Sequence, residues 1–396
     1  MFNNRAIVLS VLLSTANIAG SSGLMIWIDI MLKNGSMVLN AYLPVFSYLL
    51  GLSLGCMKIS FFIQKSNIPA SRKNLFGSFL LLATLNCILF SGKEIFIPVW
   101  LDTLHRILWG GISGFIVIMG RNILVVEKNK KKTNTGFSIL SLALLSLPFL
   151  IPVIFSLLDL NSRTSADFFS AFIYSIALII YLTGYKNNTL IKQKNDINHS
   201  VTITNKLGVF FAFLSLVIIN ICFFLSLMIM PAVRTKYFEH INMVHMYTIL
   251  LIIWLPCAIA IIKVMKPVPC RKKIIVGNII QLFALGCCLL GIIMGSGIFY
   301  LLFMILVFLA NTLMQPVFFS YLGLYSKDSL YTLGMQSGVY VSITMIILFY
   351  TIYLGAGIEE IVAGFTILLI FSIVTSTIFR SMINSKKTIT LTSKNQ

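Results

Sequence analysis

Residues 184–206 read GYKNNTLIKQKNDINHSVTITNK, the longest polar stretch between apolar runs in a chain of 396 residues. The stretch is too polar to enter the core of a bilayer and too short to fold as a domain, so it reads as a cytoplasmic linker. What lies on either side of it decides the fold. Hydrophobic residues make up 58% of the sequence and charged residues only 10%, with a mean hydropathy of +0.96. Soluble proteins carry about 25% charged residues. A chain this poor in charge cannot cover its surface with polar groups, and its solvent is lipid.

Outward from the linker, short polar interruptions cut each half into six apolar runs. Those before it lie at about 6–29, 38–60, 74–92, 96–120, 136–158 and 167–185. Those after it lie at about 206–230, 244–265, 274–294, 298–320, 332–354 and 359–381. A hydrocarbon layer about 30 Å thick needs roughly 20 apolar residues per helical crossing. Barrel strands would be about ten residues long and alternating, and an open backbone in lipid must bond to itself. The pattern therefore predicts an all-α polytopic membrane protein of twelve transmembrane helices in two six-helix bundles. Residues 1–184 form the first bundle, 185–205 the linker, 206–384 the second bundle and 385–396 a cytoplasmic tail.

The net charge of +19 does not make a nucleic-acid interface, because the cations sit in short clusters between apolar runs. With the N-terminus inside, 24 of the 30 Lys and Arg fall on the cytoplasmic side. Lys33, Lys93, Arg163, Arg234 and Lys236 fall outside, and Arg106 lies within a span. This bias predicts both termini in the cytoplasm, and the cytoplasmic (inner) membrane is the expected location. The seven cysteines read as small hydrophobes rather than a disulfide framework. No metal-ligand spacing occurs, His240 and His245 being five apart without a further ligand, and no cofactor is expected. Ile7–Leu13 followed by STANIAGSSG imitates a signal peptide, but no small-residue cleavage site follows; an uncleaved first helix is expected.

Two basic elbows recur half a chain apart. IPASRKNLFGS at 68–78 and VPCRKKIIVGN at 268–278 place Pro69, Arg72, Lys73 and Gly77 in register with Pro269, Lys272, Lys273 and Gly277. Both fall between the second and third span of their own half, as two six-helix repeats about an axis along the membrane normal would require.

The fourth span carries HRILWGGISGFIVIMGRNILVVE at 105–127. In this the chain resembles the major facilitator superfamily over essentially its whole length. Many proton-coupled members carry Arg-x-x-Gln-Gly on the fourth helix and a Glu opening a basic loop. Arg106, Gly110 and Glu127 occupy those places here, with Lys128–Lys132 following and Trp109 standing for the Gln. The family's loop after helix two, Gly-x-x-x-Asp then Gly-Arg-Arg, survives as Gly55, Arg72 and Lys73 without its Asp. Helix five keeps Pro148 and Pro152 but not the family's glycines. The resemblance implies gating or structural loops at Gly55, Arg72, Lys73, Glu127, Lys272 and Lys273.

A charge near the bilayer centre costs about 2.5–3.5 kcal/mol on insertion scales and marks a functional candidate. Arg106 is the foremost one, with substrate binding or proton coupling as its role. Asp102, one helical turn earlier, can share its face; Asp29, at the outer end of the first span beside Lys33, is the other candidate acid. In the second half the intramembrane polar set is uncharged: Asn220, Asn311, Gln315 and Gln336, with Tyr340 nearby. Asn311 and Gln315 share a helical face before Pro316, which suits either a cavity wall or interhelical hydrogen bonding. No phosphate loop, zinc-protease motif or nucleophile elbow is present, and no room exists for a nucleotide-binding domain.

These features predict a secondary active transporter, not an enzyme, working by alternating access as a monomer. The expected activity is proton-coupled efflux, by antiport, of a small amphipathic solute such as a drug, siderophore or peptide antibiotic. Solute uptake by symport is the alternative, and a polytopic glycosyl- or acyltransferase the rival from another class.

Overall fold

The structure, a computed structural model, describes all residues except 1, 34–37, 66–68, 92–98, 126–129, 159–162, 185–202, 327, 354–357 and 393–396. The described residues form twelve helices and no strand. These are α1 (Phe2–Lys33), α2 (Val38–Lys65), α3 (Pro69–Ser91), α4 (Val99–Val125), α5 (Lys130–Leu157) and α6 (Arg163–Gly184). The series continues with α7 (Ile203–Tyr237), α8 (Met243–Met265), α9 (Cys270–Met294), α10 (Gly297–Tyr325), α11 (Ser329–Tyr353) and α12 (Ile358–Thr392). Each expected span is occupied by a helix. Nine described stretches, on α4 to α12, are long and apolar enough to cross a membrane. Most of the linker lies outside the described residues, and α12 continues to Thr392 through much of the expected tail.

The basic residues of the elbows open helices. Pro69 opens α3, and Pro269 caps α9 with φ −64° and ψ 149°. Proline suits that place because its ring presets φ and its missing N–H would have no partner in the first turn. Arg72, Lys73, Lys272 and Lys273 therefore belong to the opening turns of helices. The repeated glycines differ in use. A Cβ on Gly277 would stand 2.4 Å from Met314 Cγ of α10, whereas one on Gly77 would stand an ordinary 3.6 Å from Tyr181 of α6.

Contacts separate the chain into two compact units, residues 1–196 with 328–355, and residues 197–327 with 356–396. In the first unit α1 packs on α4, α5 and α6, α3 on α4 and α6, and α2 on α4; α11 lies against α2 and α4. In the second unit α7 packs on α10 and α12, α9 on α10 and α12, and α8 on α10. Five pairings of the first unit thus recur six helices later in the second. Such recurrence is what a duplicated six-helix unit produces. A buried apolar cluster of Ala19, Leu147, Ile151, Phe155 and Ala166 ties α1, α5 and α6 together. Large apolar side chains such as Leu89, Trp100 and Ile293 are exposed, as helices solvated by lipid allow.

Candidate functional site

Helix α4 carries the strongest candidates, and its course is set by a seam of glycines. Gly51 and Gly55 on α2 face Gly110, Gly111 and Gly114 on α4. A Cβ on Gly51 would lie 2.0 Å from the Ile107 carbonyl oxygen, and one on Gly110 would lie 2.2 Å from that of Tyr48. The two backbones meet where only glycine fits, in the small-xxx-small manner of membrane helices. Gly55 thus lies inside α2, pressed on Gly111 (2.2 Å for a Cβ), and not in the connection that follows the helix.

This close approach carries Arg106 into the interior, where it is 0% exposed. Its Nε lies 3.4 Å from Asp102 Oδ1, one turn back on α4. Its guanidinium carbon lies 5.2 Å from the centre of the Trp109 ring. Burying a guanidinium is costly unless charge and hydrogen bonding compensate it, and a cation over an indole face adds attraction where water is excluded. Trp109 is held in turn: its ring lies 4.9 Å from Tyr48 and 6.5 Å, nearly parallel, from His105. The Tyr48 hydroxyl donates to Asn17 Oδ1 of α1. The indole edge occupies the place of a side chain at Gly20, where a Cβ would fall 2.0 Å from Trp109 Cζ2. Tryptophan here is paired with a glycine eighty-nine positions away.

A second polar cluster sits further along α4. Arg121, 5% exposed, donates from Nη1 to Ser337 Oγ on α11. Ser337 Oγ in turn donates to Gln336 Oε1 at 3.3 Å, and Ser329 Oγ donates to Asn122 Oδ1 at 3.1 Å. Ser53 Oγ of α2 donates to the Gly338 carbonyl at 3.1 Å. Tyr340, one turn beyond Ser337, is buried as well. The sequence sets Arg121 among cytoplasmic loop cations because its apolar run ends at about residue 120. The helix runs on to Val125 and buries the side chain.

In the second unit Gln315 Nε2 donates to Asn220 Oδ1 at 2.8 Å, and Asn311 Nδ2 to the Ile219 carbonyl at 3.4 Å. All three side chains are nearly enclosed. These amides join α7 to α10, and α10 passes through Pro316 as a single helix. A further pair, Gln281 with Ser372, exchanges hydrogen bonds of 2.9 and 3.1 Å between α9 and α12.

No family model matches the sequence, and no curated protein does. Solved structures do match. The human organic anion transporter MFSD10 (TETRAN) aligns at TM-score 0.70 and 12% identity over 94% of this chain and 99% of that one. The E. coli fucose:proton symporter FucP aligns at TM-score 0.61 and 15% identity over 95% of this chain and 98% of that one. FucP in the outward conformation aligns at TM-score 0.62 and 13% identity, with the same coverage. This chain has the major facilitator superfamily fold. It is a multi-pass membrane protein.

On the major facilitator superfamily fold the expected candidates separate. Arg106 and Asp102 form one pair, Gln336 and Tyr340 lie in the α11 cluster of the first unit, and Asn220, Asn311 and Gln315 meet in the second. Asp29 falls within α1, Arg72 and Lys73 within α3; Glu127 lies outside the described residues. Sequence reading passed over Asp167 of α6, which is 3% exposed. An acid at the first residue of an apolar run looks like a boundary residue; only the helix start at Arg163, four residues earlier, puts it inside. Among the described residues no group of three His, Cys, Asp or Glu side chains is placed to hold a metal.

Proposed function

We propose that this chain is a secondary active transporter that moves a small amphipathic solute across the cytoplasmic membrane by alternating access. The bundles at 1–184 and 206–384, joined by the 185–205 linker, rock about a site near the midplane. Arg106 binds the solute or couples its passage to protons, with Asp102 or Asp29 as its partner acid; the amides Asn220, Asn311 and Gln315 supply uncharged contacts. The observation that carries this reading is the fully buried Arg106 3.4 Å from Asp102, in a fold shared with transporters. A guanidinium in the apolar interior is costly to keep and is retained where charge does work. The Trp109, Tyr48 and His105 rings around it suit an amphipathic solute, and export in exchange for protons is the direction we favour. The termini are cytoplasmic, the functional unit is a monomer, and no cofactor takes part.

Uptake by symport is the second reading, favoured by the likeness to a fucose:proton symporter. A membrane glycosyl- or acyltransferase is less well supported. Such an enzyme needs an outer domain to hold its second substrate, and α9 and α10 are joined through only Gly295 and Ser296.

The test is movement of labelled compounds into and out of vesicles under an imposed pH gradient. Gradient-driven movement by the native chain and its loss in Arg106→Ala, with inserted protein unchanged, are expected. Native transport by Arg106→Ala would remove that residue from the mechanism. Conversion of a compound into a new product by the purified protein would favour the enzyme.

A further inference from the structure

The connection between α8 and α9 concentrates positive charge on a short turn between two membrane spans. Lys263 stands in the last turn of α8 and Lys266 caps it; Arg271, Lys272 and Lys273 occupy the first turn of α9. Four of these cations are exposed and Lys273 is half-buried. Between Glu239 and Asp328 the sequence contains no acidic residue, so no carboxylate of the neighbouring sequence neutralises them. The turn is also stiff. Pro267 and Pro269 bracket Val268, the Val268 N–H donates to the Met265 carbonyl at 3.1 Å, and those of Lys272 and Lys273 both donate to Pro269 O. No side chain caps the N-terminus of α9, whose helix dipole adds positive potential beside the three cations. Val264, 71% exposed, sets an apolar surface next to Lys263.

The positive-inside rule accounts for the sign of this charge. It does not require five cations on one rigid turn, where they repel one another unless an anion lies among them. Because α8 and α9 both span the membrane, the turn lies at headgroup depth. We propose that the α8–α9 turn is a binding site for the phosphate diester of an anionic phospholipid. The headgroup sits among Lys266, Arg271, Lys272 and Lys273, and an acyl chain lies along Val264. Clusters of this size next to a membrane helix attract anionic lipid electrostatically, and arginine adds a planar fork suited to phosphate.

The experiment uses the full chain in nanodiscs of phosphatidylcholine, with or without a minority of phosphatidylglycerol. Thermal unfolding and the lipids retained in native mass spectrometry are read together. Phosphatidylglycerol is expected to raise the melting temperature by several degrees and to remain bound after delipidation. Arg271→Gln/Lys272→Gln/Lys273→Gln loses both effects. Lys272→Arg/Lys273→Arg, which preserves charge, keeps them, as does Lys206→Gln, which removes an exposed lysine near the start of α7. Should the triple variant fail to insert, Lys266→Gln/Lys272→Gln serves, with a reduced shift expected. Equal stabilisation by phosphatidylcholine, an undiminished shift in the neutralised variants, or the same shift from inorganic phosphate added to delipidated protein would each overturn the proposal.

Discussion

Helices α4 and α10 stand at matching places in the two halves, yet they solve burial differently. Helix α4 takes ionised groups inside: Arg106 beside Asp102 and under Trp109, and Arg121 against Ser337 of α11. Helix α10 is enclosed over most of its length and carries only amides and hydroxyls, with Gln315 bonded to Asn220 and Asn311 to Ile219. A buried charge must be compensated by another charge, a ring and dipoles at once, so its loss disturbs a whole neighbourhood. A buried amide needs one mate, and its loss is local. The first arrangement is costly to maintain; the second joins α7 to α10 at lower cost.

The contrast is broken most severely by Arg106→Ala. Removing one member of a buried ion pair costs about 3–5 kcal/mol, so a large drop in melting temperature should accompany loss of transport. Arg106→Lys, which keeps the charge but not the fork, should retain the fold while transporting poorly. If the alanine variant melts like the native protein, α4 is no more sensitive than α10.

Next in size is the glycine seam beneath the arginine. Gly51→Leu drives a side chain against the Ile107 carbonyl, a backbone atom that cannot step aside, and overpacking of this kind costs about 1–3 kcal/mol. Gly286→Leu on α9, where nothing lies within 4 Å of a built Cβ, is the matched control and should leave the detergent melting curve unmoved.

Asp102→Asn keeps the shape of the pair but removes its negative charge. Transport should fall about tenfold, equivalent to about 1.4 kcal/mol, in the same vesicle assay, since Asp102 is 14% exposed and water shares the load. The smallest effect belongs to α10. Gln315→Leu and Asn220→Leu should each cost about 0.6 kcal/mol of stability, the average for such bonds between membrane helices. A double-mutant cycle on melting should recover a coupling of that size; a much larger coupling would place α10 with α4.

The helices were legible because hydropathy reports a solvent, and lipid leaves a run of some twenty residues little choice but a helix. The Arg106–Asp102 pair was legible too, because four residues is one helical turn. The rest depended on distant partners. Nothing near Trp109 in sequence announces Gly20, and nothing near Arg121 announces Ser337. Asp167 read as a boundary residue because a hydropathy edge blurs by several positions. The elbows read as loops because basic residues and a proline end an apolar run, although a proline also begins a helix well.

From the amino-acid order alone came the twelve helices, the polytopic membrane class and one buried charge, Arg106. All of these rest on local composition and on periodicities of a few residues. Folding settled which helices touch, which glycines are crushed between backbones, and that the amides bond to each other across α7 and α10. Such choices depend on where side chains far apart in the chain come to lie, and contact energies of that kind leave no mark on any single stretch of sequence.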